Sequence, residues 1–234
     1  MLVRIPSEAH YRFSNRWLGA TWHFSFDRYF DPERVNFGAL RAYNHDHIAP
    51  GTGFPTHPHR EMEIVTAVLA GELTHEDSTG RQLVLRAGEV EAMSAGRGIE
   101  HAELNRSSVP TEFIQVWILP REGHLTPAHH QSRPALEAGF TVVASDADVG
   151  AGLPIHQDAR VAWAQLERGQ DARWPVRAGH RAYLHAVTGA ATVSGIGLAP
   201  DDALEATAPP HETLELALAC AAPGHFLLVE VPDL

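Results

Sequence analysis

Residues 56–64 read THPHREMEI, and an apolar stretch, VTAVLAGEL, carries the chain on to residue 73. Side chains alternate across a β-strand, so one face of such a strand would hold four polar groups: His57, His59, Glu61 and Glu63. Pro58 cannot donate a hydrogen bond to a neighbouring strand, which favours an edge strand or the start of a strand. The stretch therefore predicts a β-strand on which two imidazoles converge at an accessible point.

The sequence around this stretch is also typical of β-structure. Short apolar segments are bounded by Gly, Pro, Asn and Asp, and few stretches keep a 3.6-residue period for three turns. The strands predicted in the first half span residues 21–26, 38–48, 62–77, 88–95, 100–105 and 112–120. This spacing favours an antiparallel sandwich or barrel.

Residues 123–139 interrupt the strand pattern and are rich in His, Pro and Gly, which is typical of a connection between two halves. Strand signals then return in residues 140–146, 159–170, 180–195 and 225–232. We therefore predict an all-β protein with two domains, residues 1–135 and 136–234. The second half has only a lone His180 ahead of its strand, so a duplicated second domain would have lost the paired histidines.

Composition limits the classes of partner. The 234 residues carry a formal net charge of −11, and all 18 basic residues are arginines without any cluster, which argues against direct binding to nucleic acid or anionic lipid. The single cysteine, Cys220, excludes an intrachain disulfide. Neither a secretory signal nor an apolar run of roughly 18 residues is present, so we expect a cytoplasmic protein. The abundance of Ala, Gly and Arg suggests a bacterial source.

A second polar group follows in SAGRGIEHAELN, residues 94–105, where His101 and Glu103 are again two residues apart. Together with the first stretch it offers three imidazoles and a carboxylate. This donor set suits a divalent first-row transition metal and leaves coordination positions open for water, oxygen or substrate. Strand alternation alone does not choose between Glu63 and Glu103 as the carboxylate ligand.

Two further histidine pairs receive a simpler interpretation. His45 and His47 have the same spacing as the first pair, but no carboxylate follows them, so we interpret them as polar residues of a strand or turn. His129 and His130 are adjacent in the predicted connection, and adjacent side chains point to opposite faces of a strand. We interpret both as solvated.

The two polar stretches resemble the two sequence motifs of the cupin superfamily. The first motif is matched by Gly51, His57, His59, Glu63 and Gly71, and the second by Gly88, Gly96, His101 and Asn105. The spacing departs from the general motif between Glu63 and Gly71, and Ser94 replaces a proline. The resemblance implies a bicupin, with two antiparallel β-barrels of the jelly-roll or double-stranded β-helix type, the second of them degenerate.

These departures are similar to those of the pirin family, as are HPHREMEIVTAVLAGELTHEDSTG at residues 57–80 and MSAGRGIEHAE at residues 93–103. Within that family the chain resembles the bacterial pirin-like quercetin 2,3-dioxygenases. The resemblance implies that one metal ion is held by His57, His59, His101 and Glu103. Glu63 then becomes a candidate for orienting a ligating imidazole through its other ring nitrogen.

Several apolar or amide side chains are candidates for the pocket around such an ion. Met93 precedes the glycine-rich turn, and Gln115 interrupts an apolar strand, so its amide is either satisfied locally or faces the site. Phe54, Met62 and Trp117 are candidates for the walls of a cavity that accepts a flat aromatic molecule.

The resemblance implies a metal-dependent oxidoreductase that opens flavonols such as quercetin with O2 and releases carbon monoxide. In this interpretation Glu103 is also catalytic, because a carboxylate at the metal can accept the proton of the substrate hydroxyl. We favour iron(II) as the ion, while copper, nickel, manganese, cobalt or zinc fit the same ligands. The alternative is a metal-binding regulatory or redox-sensing protein that acts through protein partners.

Overall fold

The computed structural model describes residues 1–146 and 148–234. In these residues the chain forms twenty-two β-strands and one short 3₁₀ helix, Ser7–Ala9. The strands of the first half are β1 (Leu2–Ile5), β2 (Tyr11–Ser14), β3 (Leu18–Trp22), β4 (Leu40–Ile48), β5 (Thr52–His59), β6 (Glu63–Ala70), β7 (Glu72–Asp77), β8 (Gln82–Arg86), β9 (Val90–Ser94), β10 (Ile99–Asn105), β11 (Thr111–Ile118) and β12 (Ala128–Ser132).

The strands of the second half are β13 (Thr141–Asp146), β14 (Leu153–Ile155), β15 (Arg160–Leu166), β16 (Asp171–Val176), β17 (His180–Ala186), β18 (Ala190–Val193), β19 (Ile196–Leu198), β20 (Ala203–Thr207), β21 (Leu214–Ala222) and β22 (Gly224–Pro232). Among the described residues, no helix is long and apolar enough to cross a membrane.

The two halves follow the same strand plan. Strands β4 to β11 form one sheet in the order β9-β6-β11-β4 and a second in the order β5-β10-β7-β8. Strands β15 to β22 repeat this arrangement as β20-β17-β22-β15 and β16-β21-β18-β19. Each half is therefore a barrel of two facing antiparallel sheets, which confirms the all-β bicupin fold predicted from the sequence.

The first strand of the chain belongs to the sheet of the second half. Strand β1 pairs with β20 in the register Leu2↔Ala206 to Ile5↔Ala203. In the first half, β12 extends the larger sheet next to β9, and β3 and β2 extend it next to β4. The N-terminal residues therefore bind the two barrels together, and the predicted domain limits of 1–135 and 136–234 stay a prediction.

A shared apolar core joins the barrels. It contains side chains from the outer faces of both large sheets, among them the buried Tyr43, Trp163 and Tyr183. The interior of the second barrel is a separate cluster of leucine, alanine, valine and aromatic side chains. The interior of the first barrel has smaller apolar clusters, because part of its volume is occupied by polar groups and a cavity.

Some predicted strand limits are wrong for identifiable reasons. The predicted strand 21–26 ends at Trp22, because the following residues turn away and Ser25 donates its backbone N–H to the carbonyl of Arg34. Strand β21 was missed, since LELALACAA is rich in leucine and alanine, which favour helices. Burial of alternate residues against the second barrel's interior makes it a strand.

Candidate metal centre

Three histidines of the first barrel meet between the paired strands β5 and β10. His57 lies directly opposite His101, and His59 lies opposite Ile99. The Nε2 atoms of His57 and His101 are 3.1 Å apart, and one ring nitrogen of each of the three histidines lies within 4.8 Å of the others. The structure therefore brings together the three imidazoles that the sequence predicted as ligands.

The protonation of these rings suits a metal cation. The Nδ1 of His57 lies 2.8 Å from the carbonyl oxygen of Pro55, and a proton on Nδ1 leaves the lone pair of Nε2 pointing at His101. Burial, together with the charges of His57 and His59, lowers the pKa of His101 to about 2. Burial and the charge of His57 lower the pKa of His59 to about 4. At neutral pH these imidazoles are uncharged, which is the form that binds metals.

Glu103 is buried two residues beyond His101. Residues 55 and 56 of β5 oppose a single residue of β10 at this point, so the strand bulges and Glu103 pairs with Phe54. The Oε1 of Glu103 accepts a hydrogen bond of 2.7 Å from the amide Nε2 of Gln115. Burial, followed by the charge of Glu91, raises the pKa of Glu103 to about 7.

Glu61 and Glu63 do not share the face of His57 and His59, so that part of the sequence prediction is wrong. Strand β5 ends at His59, and the chain bends through Glu61, whose φ is +48°, before β6 begins at Glu63. The carboxylate of Glu63 accepts hydrogen bonds from the hydroxyl of Ser94 and the backbone N–H of His156. It is therefore directed away from the three histidines.

A buried group of charged side chains lies behind His101. The Nδ1 atoms of His101 and His75 are 3.4 Å apart, and Glu91 Oε1 lies 2.9 Å from His75 and 2.5 Å from His129. Burial alone would lower the pKa of His75, but its contact with Glu91 raises that pKa to about 9. The prediction that His129 is solvated is wrong, because only 8% of its surface is exposed.

A cavity of about 490 Å³ opens beside the three histidines. Such a volume is within the range of pockets that bind small organic molecules. Its walls combine aromatic side chains with part of the candidate metal centre: Phe13, Trp17, Trp22, Phe26, Phe54, Trp117, His57, His59, Glu103 and Gln115. The cavity therefore suits a flat aromatic compound that reaches the histidines with one edge.

Two polar residues of the cavity were not singled out from the sequence. Asn44 and Asp46 lie on β4, are buried, and each has a side-chain oxygen without a hydrogen-bond partner among the described residues. Burial, with the charge of Glu103, raises the pKa of Asp46 well above its usual range, which favours the protonated form of this carboxyl group. The available signal was a pair of polar residues at strand spacing inside a buried strand.

The predicted pocket residues fall into two groups. Phe54, Trp117 and Gln115 line the cavity, and Gln115 is also satisfied locally, because its Oε1 accepts a 2.9 Å hydrogen bond from the indole of Trp117. Met93 is instead fully buried in an apolar cluster against which Met62 packs. These two methionines support the wall from behind.

The chain matches two family models, Pirin over residues 6–118 and the quercetinase C-terminal cupin domain over residues 142–231. It is 41% identical over 192 residues to a quercetin 2,3-dioxygenase of Escherichia coli K12, covering 80% of this chain and 82% of the relative. It is 40% identical over 209 residues to a pirin-like protein of Caulobacter vibrioides, covering 85% of this chain and 87% of the relative.

Among solved structures, the bacterial pirin YhhW from Escherichia coli, crystallised in complex with nickel(II), superimposes with a TM-score of 0.92. It is 32% identical to this chain, and the superposition covers all of both chains. A quercetin 2,3-dioxygenase from Acinetobacter baumannii shares the fold with a TM-score of 0.77 at 22% identity, covering 99% of this chain and 86% of that one.

Proposed function

The chain belongs to the pirin family, and we propose on that basis that it is a metal-dependent dioxygenase that opens flavonols with O2 and releases carbon monoxide. The observation that carries this proposal is the aromatic cavity, because His57, His59 and Glu103 form part of its wall. A flavonol is a flat polycyclic phenol, so it can lie between aromatic walls while its hydroxyl groups face these polar side chains.

In this proposal the ion is held by His57, His59, His101 and Glu103. The convergence of the three rings supports it, because Nε2 of His57 and Nε2 of His101 are 3.1 Å apart and a ring nitrogen of His59 lies within 4.8 Å of the others. A bound divalent ion would act as a Lewis acid that lowers the pKa of a substrate hydroxyl at its open position.

Glu103 is the proposed proton acceptor. Gln115 orients its carboxylate through a hydrogen bond to Oε1, so that one carboxylate oxygen can bind the ion while the other takes the proton of the flavonol 3-hydroxyl. Gln115 itself is fixed by the indole of Trp117, so it acts as a positioning residue.

Asn44 and Asp46 are proposed to orient the substrate. Both residues line the cavity together with Glu103, each has an unpartnered side-chain oxygen among the described residues, and a polyphenol offers both hydroxyl and carbonyl groups. When protonated, Asp46 can donate to a carbonyl, and Asn44 Oδ1 can accept from a hydroxyl. This pair would distinguish a polyphenol from an apolar polycyclic compound of the same size.

We propose iron(II) as the native ion. The nickel(II) complex of YhhW supports a divalent transition metal in this family and leaves the identity of the ion in this chain to measurement. The ligands alone do not select the ion, because the affinity of a given site for first-row divalent metals follows the same general order.

The test combines elemental analysis of protein purified without added metal with a flavonol-loss assay in air and under nitrogen. We expect flavonol loss that requires oxygen, produces carbon monoxide in equal amount, and scales with bound metal. Turnover that continues under nitrogen would contradict dioxygenase chemistry. A kcat/KM several orders of magnitude below about 10⁴ M⁻¹s⁻¹ would favour a regulatory or redox-sensing protein instead.

A further inference from the structure

A second group of metal-binding side chains lies between the two barrels, separate from the residues that line the cavity. His23 directly follows β3, His185 lies on β17, and Asp201 precedes β20. One ligand atom of each residue lies within 4.8 Å of the other two. Both histidines are buried, whereas Asp201 is partly exposed, so an ion could enter from its side.

Several nitrogens at this place lack a partner among the described residues. The Nδ1 of His23 is 2.8 Å from the hydroxyl of Tyr183, but its Nε2 has no hydrogen bond. The ring of His10 stacks on that of His23 with centroids 3.7 Å apart, and neither of its nitrogens is bonded. Buried polar atoms are almost always satisfied, so three unpartnered nitrogens in one place indicate a missing ligand.

In His23, His185 and Asp201, the nitrogen or oxygen that does not face the other two residues has a hydrogen-bond partner of its own. Tyr183 contacts Nδ1 of His23, and the hydroxyl of Tyr43 lies 3.1 Å from Nδ1 of His185. The Oδ2 of Asp201 accepts a 2.5 Å hydrogen bond from the guanidinium of Arg12. Outer partners of this kind orient the ligands of a metal site and fix the imidazole tautomer.

We propose that Nε2 of His23, Nε2 of His185 and Oδ1 of Asp201 hold a second divalent transition-metal ion of the zinc type. Two imidazoles and a carboxylate are a common donor set for zinc, and water would fill the fourth position. Since His23 belongs to the first barrel and the other two residues to the second, this ion would join the barrels. The site is independent of the proposed dioxygenase centre.

One nearby group must be separated from this site by experiment. His45 and His47 on β4 lie beside Glu112 on β11, with ligand atoms again within 4.8 Å of one another. In both groups one imidazole already contacts the carboxylate, His185 Nε2 with Asp201 Oδ1 at 3.1 Å and His45 Nε2 with Glu112 Oε1 at 2.9 Å, but here His47 is exposed. This arrangement could bind added metal weakly at the surface, so a variant of His47 is the matched control.

The test uses the triple variant H57A/H59A/H101A, which removes the candidate ligands in the first barrel. We expect this variant to bind about one equivalent of Co(II), with the visible absorption of a four-coordinate ion, as expected for a closed structural site. Zinc at a hundredfold excess over its Kd should raise its Tm by on the order of 5–10 °C. Adding H185Q or D201N should abolish both effects, whereas adding H47A should leave both unchanged.

Two results would overturn the proposal. The first is a triple variant that binds less than a tenth of an equivalent of Co(II), which would leave water as the occupant between His23 and His185. The second is binding that H47A removes while D201N and H185Q retain it. Because His185 is fully buried, the partly exposed Asp201 provides the variant that keeps the test valid if H185Q fails to fold.

Discussion

The strand pair β5/β10 of the first barrel and the pair β16/β21 of the second occupy the same place in the common strand plan. Counted from the end of the first strand, the pairs His59–Ile99 and His57–His101 correspond to Val176–Leu214 and Trp174–Leu216. Where the first barrel directs imidazoles into its interior, the second directs side chains of its apolar core. One backbone arrangement therefore supports either a candidate metal centre or a packed interior, and a few inward positions decide which.

The buried charges of the two barrels show the same contrast. Glu230 of the second barrel is fully buried, and its carboxylate is satisfied by Arg160, Arg177 and the indole of Trp174. In the first barrel, Glu103 receives one amide hydrogen bond and Asp46 keeps an unpartnered oxygen beside the cavity. A fully paired buried carboxylate is costly to separate from its partners, whereas an incompletely paired one is available to a ligand.

The largest expected effect comes from His101→Ala, compared with Leu216→Ala at the corresponding position of the second barrel. Removing His101 should abolish metal retention and lower kcat/KM by at least about 10⁴-fold, since enzymatic acceleration typically exceeds 10⁶-fold and here depends on the ion. The folded Leu216→Ala protein should keep its metal and turnover. Elemental analysis and the flavonol-loss assay measure both, and a His101→Ala protein that retains stoichiometric metal would remove His101 from the ligand set.

Glu103→Gln, with Glu63→Gln as the matched control, separates the two carboxylates. The first change removes the proposed proton acceptor and should lower kcat by about 10²–10⁴-fold. Glu63→Gln should leave kcat unchanged, because Glu63 contacts Ser94 and His156 and not the three candidate metal ligands. Single-turnover rates with metal-loaded protein give the answer. If Glu63→Gln loses the single-turnover rate and Glu103→Gln keeps it, Glu63 and not Glu103 is the proton acceptor.

Trp174→Ala tests the second barrel as a structural unit. Truncating this buried indole should destabilise the protein by about 3–5 kcal/mol, because it leaves a cavity and removes a donor from Glu230. The corresponding His57→Ala should cost less than about 1 kcal/mol in metal-free protein, since His57 is only partly buried. Urea titrations compare the two, and equal losses would show that the first barrel's histidines also serve as core.

The smallest expected effect is a pH dependence confined to the first barrel. The pKa of His75 is raised from 6.5 to about 9, so its stabilising contribution is complete below pH 6.5 and is lost as the pH rises towards 9. The difference in unfolding free energy between wild type and His75→Gln should therefore shrink by on the order of 1–3 kcal/mol over that range.

The matched change in the second barrel is Glu230→Gln, because the partners of Glu230 are the guanidinium groups of Arg160 and Arg177 and not an imidazole. Its effect on the unfolding free energy should stay constant between pH 6.5 and 9, as measured by urea titrations at several pH values. If the difference in unfolding free energy between wild type and His75→Gln is equally constant over this range, His75 is not charged in the folded protein.

The sequence predicted the all-β bicupin fold and the histidines that meet in the first barrel. Periodicity predicted the all-β class, because alternate residues share a face of a strand, whereas the bicupin fold and the ligand set were implied by the resemblance to the cupin and pirin motifs that contain His57, His59 and His101. Periodicity failed at Glu63, where a bend at Glu61 resets the direction of the chain. Residue preference failed for β21, because leucine and alanine favour helices while burial of every other residue in the second barrel makes this segment a strand.

By itself, then, the sequence determined the fold class, the family resemblance and the side chains available as metal ligands, since these depend on spacing along one strand at a time. Only the tertiary structure decided what surrounds those ligands: the cavity with Asn44 and Asp46, and the contact of Glu91 with His75 and His129 behind His101. It also decided that His23 and His185 lie close together between the barrels. These contacts join residues from distant strands or from different halves of the chain. Such long-range contacts leave no periodic pattern in the sequence, because they are created by the packing of sheets against each other.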